Sequence, residues 1–350
     1  MSGVSENRVL AGSPSTGEAA RGGLIADVPR RALILLGLFA ALLLVAPATV
    51  GDYLLSVMIL VLYYAYLGLA WNVMMGFAGQ FSLGHALYIG LGGYTAGALF
   101  VHYGLPPWFG MVVGAAVAAV MGGVIGALGF RFGVKGVYFA LLTIAFAEFT
   151  RILFDHWGWV GASSGLYLPV EYRDTDDLWL LRGSATMFYY VILAMTAGAF
   201  ILCHWLLQRR VGYYWQAIRE DQEAAQTLGI DVFRYKMIAV MLSAAMTAIG
   251  GVFYAFYYNN LYPETIFSMH RSIELMLGVI IGGIGTLFGP ILGAIVLTTL
   301  GEMLTGLTED LGLDGIKQMS YGVALLVIIV YRPGGLWPWL RRRLGLEKPR

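Results

Sequence analysis

Three side chains able to do chemistry, Gln80, Ser82 and His85, lie close together in a stretch with no Asp, Glu, Lys or Arg between Asp52 and Arg131. A hydroxyl and an imidazole three residues apart could act as nucleophile and base, which would suggest an intramembrane enzyme. The remaining parts of such a site are missing: Ser82 has no Gly-x-Ser-x-Gly context, no third group is placed to orient the base, and neither paired carboxylates nor His-Glu-x-x-His accompany them. Polar groups in an apolar run need hydrogen-bond partners, so these three either pair with neighbouring helices or face a cavity. Gly79 and Gly84 beside them favour the lining of a path. Glu148 and Arg151, three apart on one helix, are expected to pair with each other. Asn72 is expected to be structural. Arg271, Glu274 and Glu302 fall near span ends, where interfacial water would solvate them, which leaves Glu148 as the carboxylate deepest in a span. Cys203 is the sole cysteine, which excludes an internal disulfide and any multi-cysteine metal site.

The elements that must position these groups are read from the apolar pattern. Of 350 residues, 59% are hydrophobic and 12% charged, against about 25% charged in an ordinary soluble domain. The charge-free run is several times the roughly 20 residues of one membrane crossing. Apolar segments fall near 32–50, 53–75, 80–104, 108–130, 136–154, 187–207, 237–258, 273–300 and 318–331. Runs such as Tyr53 to Tyr66 are apolar on every face and lack the alternation of a β-barrel strand. The expected fold is therefore all-α, a polytopic transmembrane helix bundle. Residues 1–31 are expected to form a disordered cytoplasmic tail, 32–332 the transmembrane domain, and 333–350 a basic cytoplasmic tail. Arg30-Arg31, Ala32 to Val45 and Ala46-Pro47-Ala48 imitate a secretory signal. The long preceding tail and the next span close behind favour an uncleaved first helix.

Lys and Arg collect at 30–31, 131–135, 209–236 and 332–343, whereas 155–186 is mainly acidic. Basic loops stay on the cytoplasmic side, so 155–186 is expected to be periplasmic and both termini cytoplasmic. Crossings must then be even in number, yet nine segments are visible. One is split or re-entrant, and eight to ten spans are expected. The candidates are 80–104, with Gly90, Gly92 and Gly93, and 273–300, with Gly282, Gly283, Gly285 and Gly289-Pro290. Such breaks either line a pathway or let helices pack closely. Their places in opposite halves hint at a duplicated architecture. A net charge of +1 gives no reason to expect a nucleic-acid partner.

The basic loop 208–236 is far longer than a helix connection needs to be. From Tyr214 to Leu228, the residues Tyr214, Ile218, Ala225 and Leu228 share one helical face, Arg219, Glu220, Gln222, Glu223 and Gln226 project elsewhere, and Gly229 supplies a left-handed stop. Such a helix could lie in the lipid interface or dock into a groove on a soluble partner, with small Ala224 and Ala225 allowing close approach.

Glu223-Ala224-Ala225-Gln226-Thr227-Leu228-Gly229 resembles the Glu-Ala-Ala-x-x-x-Gly loop by which permeases of ATP-driven (ABC) importers couple to their ATPases, although the Ile-x-Leu-Pro ending of many members is absent after Asp231. Gly76 to Ala86 with Gly90-Leu91-Gly92-Gly93-Tyr94, and Gly282-Gly283-Ile284-Gly285-Thr286-Leu287-Phe288-Gly289-Pro290, are similar to the branched-chain amino acid permeases of the LivM type. The resemblance implies a bacterial inner-membrane permease working by alternating access. ATPase coupling would fall on Arg219, Glu220, Glu223, Ala224, Ala225 and Gly229. The path would involve Gln80, Ser82, His85, Gly92, Gly93, Gly282, Gly283 and Gly285. It also implies two cytoplasmic ATPase subunits holding ATP and Mg, a second permease subunit of the LivH type, and a periplasmic solute-binding protein. No Gly-x-x-x-x-Gly-Lys-Ser/Thr occurs in the chain, so it has no P-loop of its own and needs no cofactor. Leucine, isoleucine and valine are the solutes the resemblance implies, with urea, amides and other small solutes as the alternative, and an ion-coupled secondary transporter as a further one.

Overall fold

The computed structural model describes residues 30–169, 176–308, 316–332 and 334–344. The expected tail at 1–29 and the charges Glu171, Arg173 and Asp174 lie outside the described residues. In chain order the helices are α1 (Arg30–Thr49), α2 (Asp52–Asn72), α3 (His85–Tyr103), α4 (Pro107–Arg131), α5 (Val137–His156), α6 (Ala185–Gln208), α7 (Arg210–Glu220), α8 (Gln222–Thr227), α9 (Val232–Tyr258), α10 (Pro263–Ile266), α11 (Met269–Gly282), α12 (Gly289–Thr308), α13 (Ile316–Tyr331) and α14 (Leu336–Arg343). A π-helical turn, Val73–Phe77, prolongs α2. Two short strands, β1 (Leu166–Tyr167) and β2 (Asn260–Leu261), pair antiparallel at the end of the bundle opposite α7 and α8.

Among the described residues, six helical stretches are long and apolar enough to cross a membrane: α2 with its π turn, α4, α5, α6, α9, and α10 continued by α11. The fold is the all-α bundle expected. α1, α3, α12 and α13 are further apolar helices, and eight to ten crossings require some of them.

α9 is the central post. It packs against α4, α3 and α2 and buries residues from Val232 to Phe256 on all sides. α4 carries small residues at every fourth position, Gly110, Gly114, Ala118, Gly122 and Gly126, all buried; Gly110 and Gly114 meet α3, and Gly122 and Gly126 meet α9. That spacing makes one stripe along a helix and lets backbones approach, the main source of packing energy where lipid removes the hydrophobic drive.

The two glycine-rich segments behave differently. The expected break in 273–300 is present: α11 ends at Gly282 and α12 starts at Gly289. In 80–104 the chain is irregular only before α3, and the helix runs unbroken through Gly90, Gly92 and Gly93. Glycine in a helix costs roughly 1 kcal/mol against alanine, and contact offsets it here: a Cβ at Gly92 would overlap the Ala248 carbonyl of α9, and one at Gly90 the Phe267 ring.

The single helix expected over 214–228 is instead two. α7 stops at Glu220, and Asp221 is extended (φ −153°, ψ 110°). Its carboxylate accepts from the backbone N–H of Glu223 (2.8 Å) and Ala224 (3.0 Å), capping α8. An Asp at an N-cap competes with helix continuation, and periodicity alone does not register that. In 333–350, expected as a basic tail, 336–343 is helical as α14. Gly335 and Pro338 place it against Gly283, and Trp337 stacks on Phe288 (4.6 Å).

Candidate translocation path and coupling platform

α7 and α8 form a platform at one end of the bundle. Ile218, Ala225 and Val232 make a small apolar cluster that holds α7, α8 and the start of α9 together. Gly229 takes the left-handed conformation expected (φ +82°). Glu220, Glu223, Ala224 and Gln226 face solvent, and so does Leu228, 80% exposed where the single-helix reading had placed it on the packed face. Arg219 points the other way. Its Nη1 donates to the Gly76 carbonyl (2.5 Å) in the π turn of α2. Its stem covers Gly79, and its guanidinium lies against Gly285. A carbonyl at a helix end has no intrahelical donor, so an arginine is a suitable partner.

Gly285 belongs to the turn between α11 and α12. Gly283 (φ +124°) and Gly285 (φ +76°) hold conformations that side chains rarely adopt. Asn72 clasps this turn from α2: its Nδ2 donates to the Thr286 carbonyl (2.9 Å) and its Oδ1 accepts from the Gly285 N–H (2.9 Å). Thr286 Oγ1 accepts from the Gly289 N–H (3.0 Å) and so caps α12. α7, α2, α11 and α12 thus meet at one short turn. Beyond it α11 and α12 are in backbone contact, since a Cβ on Gly282 or Gly293 would overlap the carbonyl of Gly289 or Gly278.

Farther along α11 a polar cavity of about 290 Å³ opens among α2, α9, α11, α12 and α13, lined by Tyr63, Tyr64, Tyr254, Arg271, Glu274 and Glu302 among others. α10 and α11 form one span-length stretch, Pro263–Gly282, and Arg271 and Glu274, expected at a span end, fall instead near its middle. Ser272 Oγ accepts from the Ala86 N–H (2.9 Å) in the first turn of α3. Glu274 accepts from Tyr64 Oη (2.7 Å) and Tyr321 Oη (3.2 Å). Tyr64 sits about 18 Å along the 26-residue span of α2 at 1.5 Å per residue, near its middle. Arg271 donates to Tyr254 Oη (3.1 Å) and lies over that ring (4.5 Å). The Tyr63 hydroxyl is buried on this wall beside Arg271. From Glu274 a crevice of about 10 Å³ continues between α11 and α12 past Gly278, Ala294 and Leu297. The sequence signal for this site was an acid and a base three apart at the head of a glycine-broken helix.

The Gln80–Ser82–His85 cluster is on the other side of α11. His85 is fully buried. Its Nε2 meets Ser243 Oγ (2.9 Å), whose own proton goes to the Ala70 carbonyl (2.7 Å). The imidazole proton is therefore on Nε2, and Ser82 Oγ donates to Nδ1 (3.3 Å). Gln80 bonds within its own loop, to the Ala78 carbonyl (2.8 Å). Gly92 and Gly93 face α9 at Ala248 and Gly251. The structure thus groups Gly282, Gly283 and Gly285 with Arg219, and places Ser82, His85, Gly92 and Gly93 at the α3–α9 contact. Glu148 pairs with Arg151 as expected (Nε–Oε 3.0 Å), on an exposed face.

At the opposite end, Arg182 is sandwiched over Phe100 and Phe256 (5.3 Å each) and donates to Asn259 and to the Pro169 carbonyl (3.1 Å). Burial holds its pKa below the usual guanidinium value.

Residues 53–331 match the family described as branched-chain amino acid transport system / permease component. The chain belongs to that family. The permease is 27% identical to the high-affinity branched-chain amino acid transport system permease protein LivM of Escherichia coli over 329 residues, 86% of this chain and 74% of that one. A probable LivM of Methanocaldococcus jannaschii is 23% identical over 275 residues, 72% of this chain and 78% of that one. The Escherichia coli permease protein LivH aligns more briefly, at 27% over 150 residues, 43% of this chain and 46% of that one. No solved structure matches the permease.

Proposed function

We propose that the permease carries branched-chain amino acids inward across a bacterial inner membrane as one of two homologous membrane subunits, driven by two cytoplasmic ATPases and supplied by a periplasmic binding protein. The observation that carries this reading is Arg219. One residue of the coupling platform grips the ends of α2 and the α11–α12 turn at once. In this scheme the exposed face of α8, with Glu223, Ala224 and Leu228, docks into an ATPase groove. ATP-driven closure of the ATPases displaces α7, and Arg219 with Asn72 passes the displacement to α11 and α12, whose touching backbones close the path. The basic loops support a cytoplasmic position for the platform and both termini. The chain lacks a P-loop, so ATP and Mg belong to the partner.

The test is purification of the tagged permease from its native membrane, with Glu223→Arg and Arg219→Ala variants alongside. An ATPase subunit should co-purify with the wild type. It should be lost with Glu223→Arg, because a cation replaces the anion on the docking face. With Arg219→Ala it should be retained, while uptake per ATP hydrolysed falls about tenfold. Uptake driven by an ion gradient alone, with no ATPase attached, overturns the proposal in favour of a secondary transporter.

A further inference from the structure

The polar cavity beside α11 is chemically unlike the rest of the bundle. Charged side chains within a span are costly, yet Arg271 and Glu274, near the middle of the Pro263–Gly282 stretch, line this cavity together with Glu302 of α12. Tyrosine hydroxyls hold Glu274 and Arg271 in place. The buried Tyr63 hydroxyl adds a further polar group to the wall beside Arg271. At about 290 Å³ the cavity is at the small end of ligand sites. It suits a small solute rather than a glycoside or a peptide.

Arg271 and Glu274 are three apart on α11, which sets their Cβ atoms about 5–6 Å apart on one face. An α-amino acid carries its carboxylate and ammonium on one carbon, so a cation and an anion one helical turn apart can hold both ends at once. A urea or a simple amide has no use for such a pair. Resting on the permease reading above, we propose that this cavity is the transit site for a zwitterionic amino acid. Arg271 receives the carboxylate, Glu274 and Glu302 receive the ammonium, and the apolar crevice at Gly278, Ala294 and Leu297 receives the side chain. That crevice has room for about one water, so a branched side chain goes farther only when α11 and α12 part. The site is therefore loaded from the wide side and released through the contact that the coupling platform controls.

The probe is photo-leucine, a diazirine analogue that keeps both charged groups. The assembled permease–ATPase complex in nanodiscs is irradiated with it, and the labelled peptides of this chain are mapped. Label is expected on α11, α12 or α2 around the cavity. Excess leucine should suppress it at least tenfold, whereas leucinamide, which lacks the carboxylate, and 4-methylpentanoate, which lacks the ammonium, should leave it within twofold. Arg271→Gln should reduce labelling at least tenfold. Label found only elsewhere, or competition by all three compounds alike, overturns the proposal without need of a variant. ATP-driven leucine uptake by the complete wild-type system is measured in parallel. With uptake present and no cavity label, the site falls and the permease reading stands; with no uptake, the permease reading falls, and the site with it.

Discussion

α11 presents two polar faces at one depth, and they are opposites. Toward α3 and α9, Ser272 accepts from the Ala86 N–H, and beside it Ser82, His85 and Ser243 form a chain in which neighbouring donors and acceptors are matched over 2.7–3.3 Å, ending on the Ala70 carbonyl. Toward α12 and α13, Arg271, Glu274 and Glu302 surround open volume. The first face holds helices together through paired groups, although the Tyr88 hydroxyl, whose ring packs edge-on against His85, is buried there without a partner among the described residues. The second keeps charge where packing alone would favour leucine. The polar residue in an apolar run that looks most like chemistry, the histidine, is on the static side.

The sharpest way to break this comparison is at the α11–α12 contact. Gly293→Ala drives a Cβ into the Gly278 carbonyl and is expected to cost about 3 kcal/mol or more, read as a collapse in monodisperse yield on size exclusion. A yield near wild type would show that the two helices are already free to part. Arg271→Lys keeps the charge and loses the planar fork. Uptake should fall about tenfold with the thermal midpoint within a few degrees of wild type, whereas unchanged uptake would reduce the cavity to a strut. Ser243→Ala leaves the buried Nε2–H of His85 without its acceptor and is expected to cost about 1–2 kcal/mol. Uptake per folded molecule should stay unchanged; a loss of uptake beyond the loss of protein would move the His85 cluster onto the path. Glu148→Gln cuts an exposed pair and should shift stability by about 0.5 kcal/mol or less, with transport unaltered.

Much of the bundle was visible in the order of residues. Runs without charge mark the helices. Gly229 and the run from Gly282 to Gly289 announced their stops, because a left-handed or broken backbone leaves glycine as its mark. The division at Asp221 was not visible, since a capping carboxylate and an exposed helical one are the same letter. Gly92 and Gly282 also look alike in the chain. One meets a carbonyl on α9 and stays helical, and the other ends its helix.

The cavity lay beyond what the chain alone specifies. Arg271 and Glu274 look like interfacial charges until α10 joins α11 in one span-length stretch and places them near its middle. Depth depends on where the preceding segment packs, here the Phe267 ring against Gly90 and Leu166 paired with Leu261. Local sequence determined that the protein spans a membrane as helices, where its basic platform lies and where its backbone breaks, because those follow from hydropathy, charge and backbone freedom residue by residue. Which polar groups are sealed and which face open space was decided by tertiary contact alone, since pairing depends on partners as far apart as Tyr64 and Glu274.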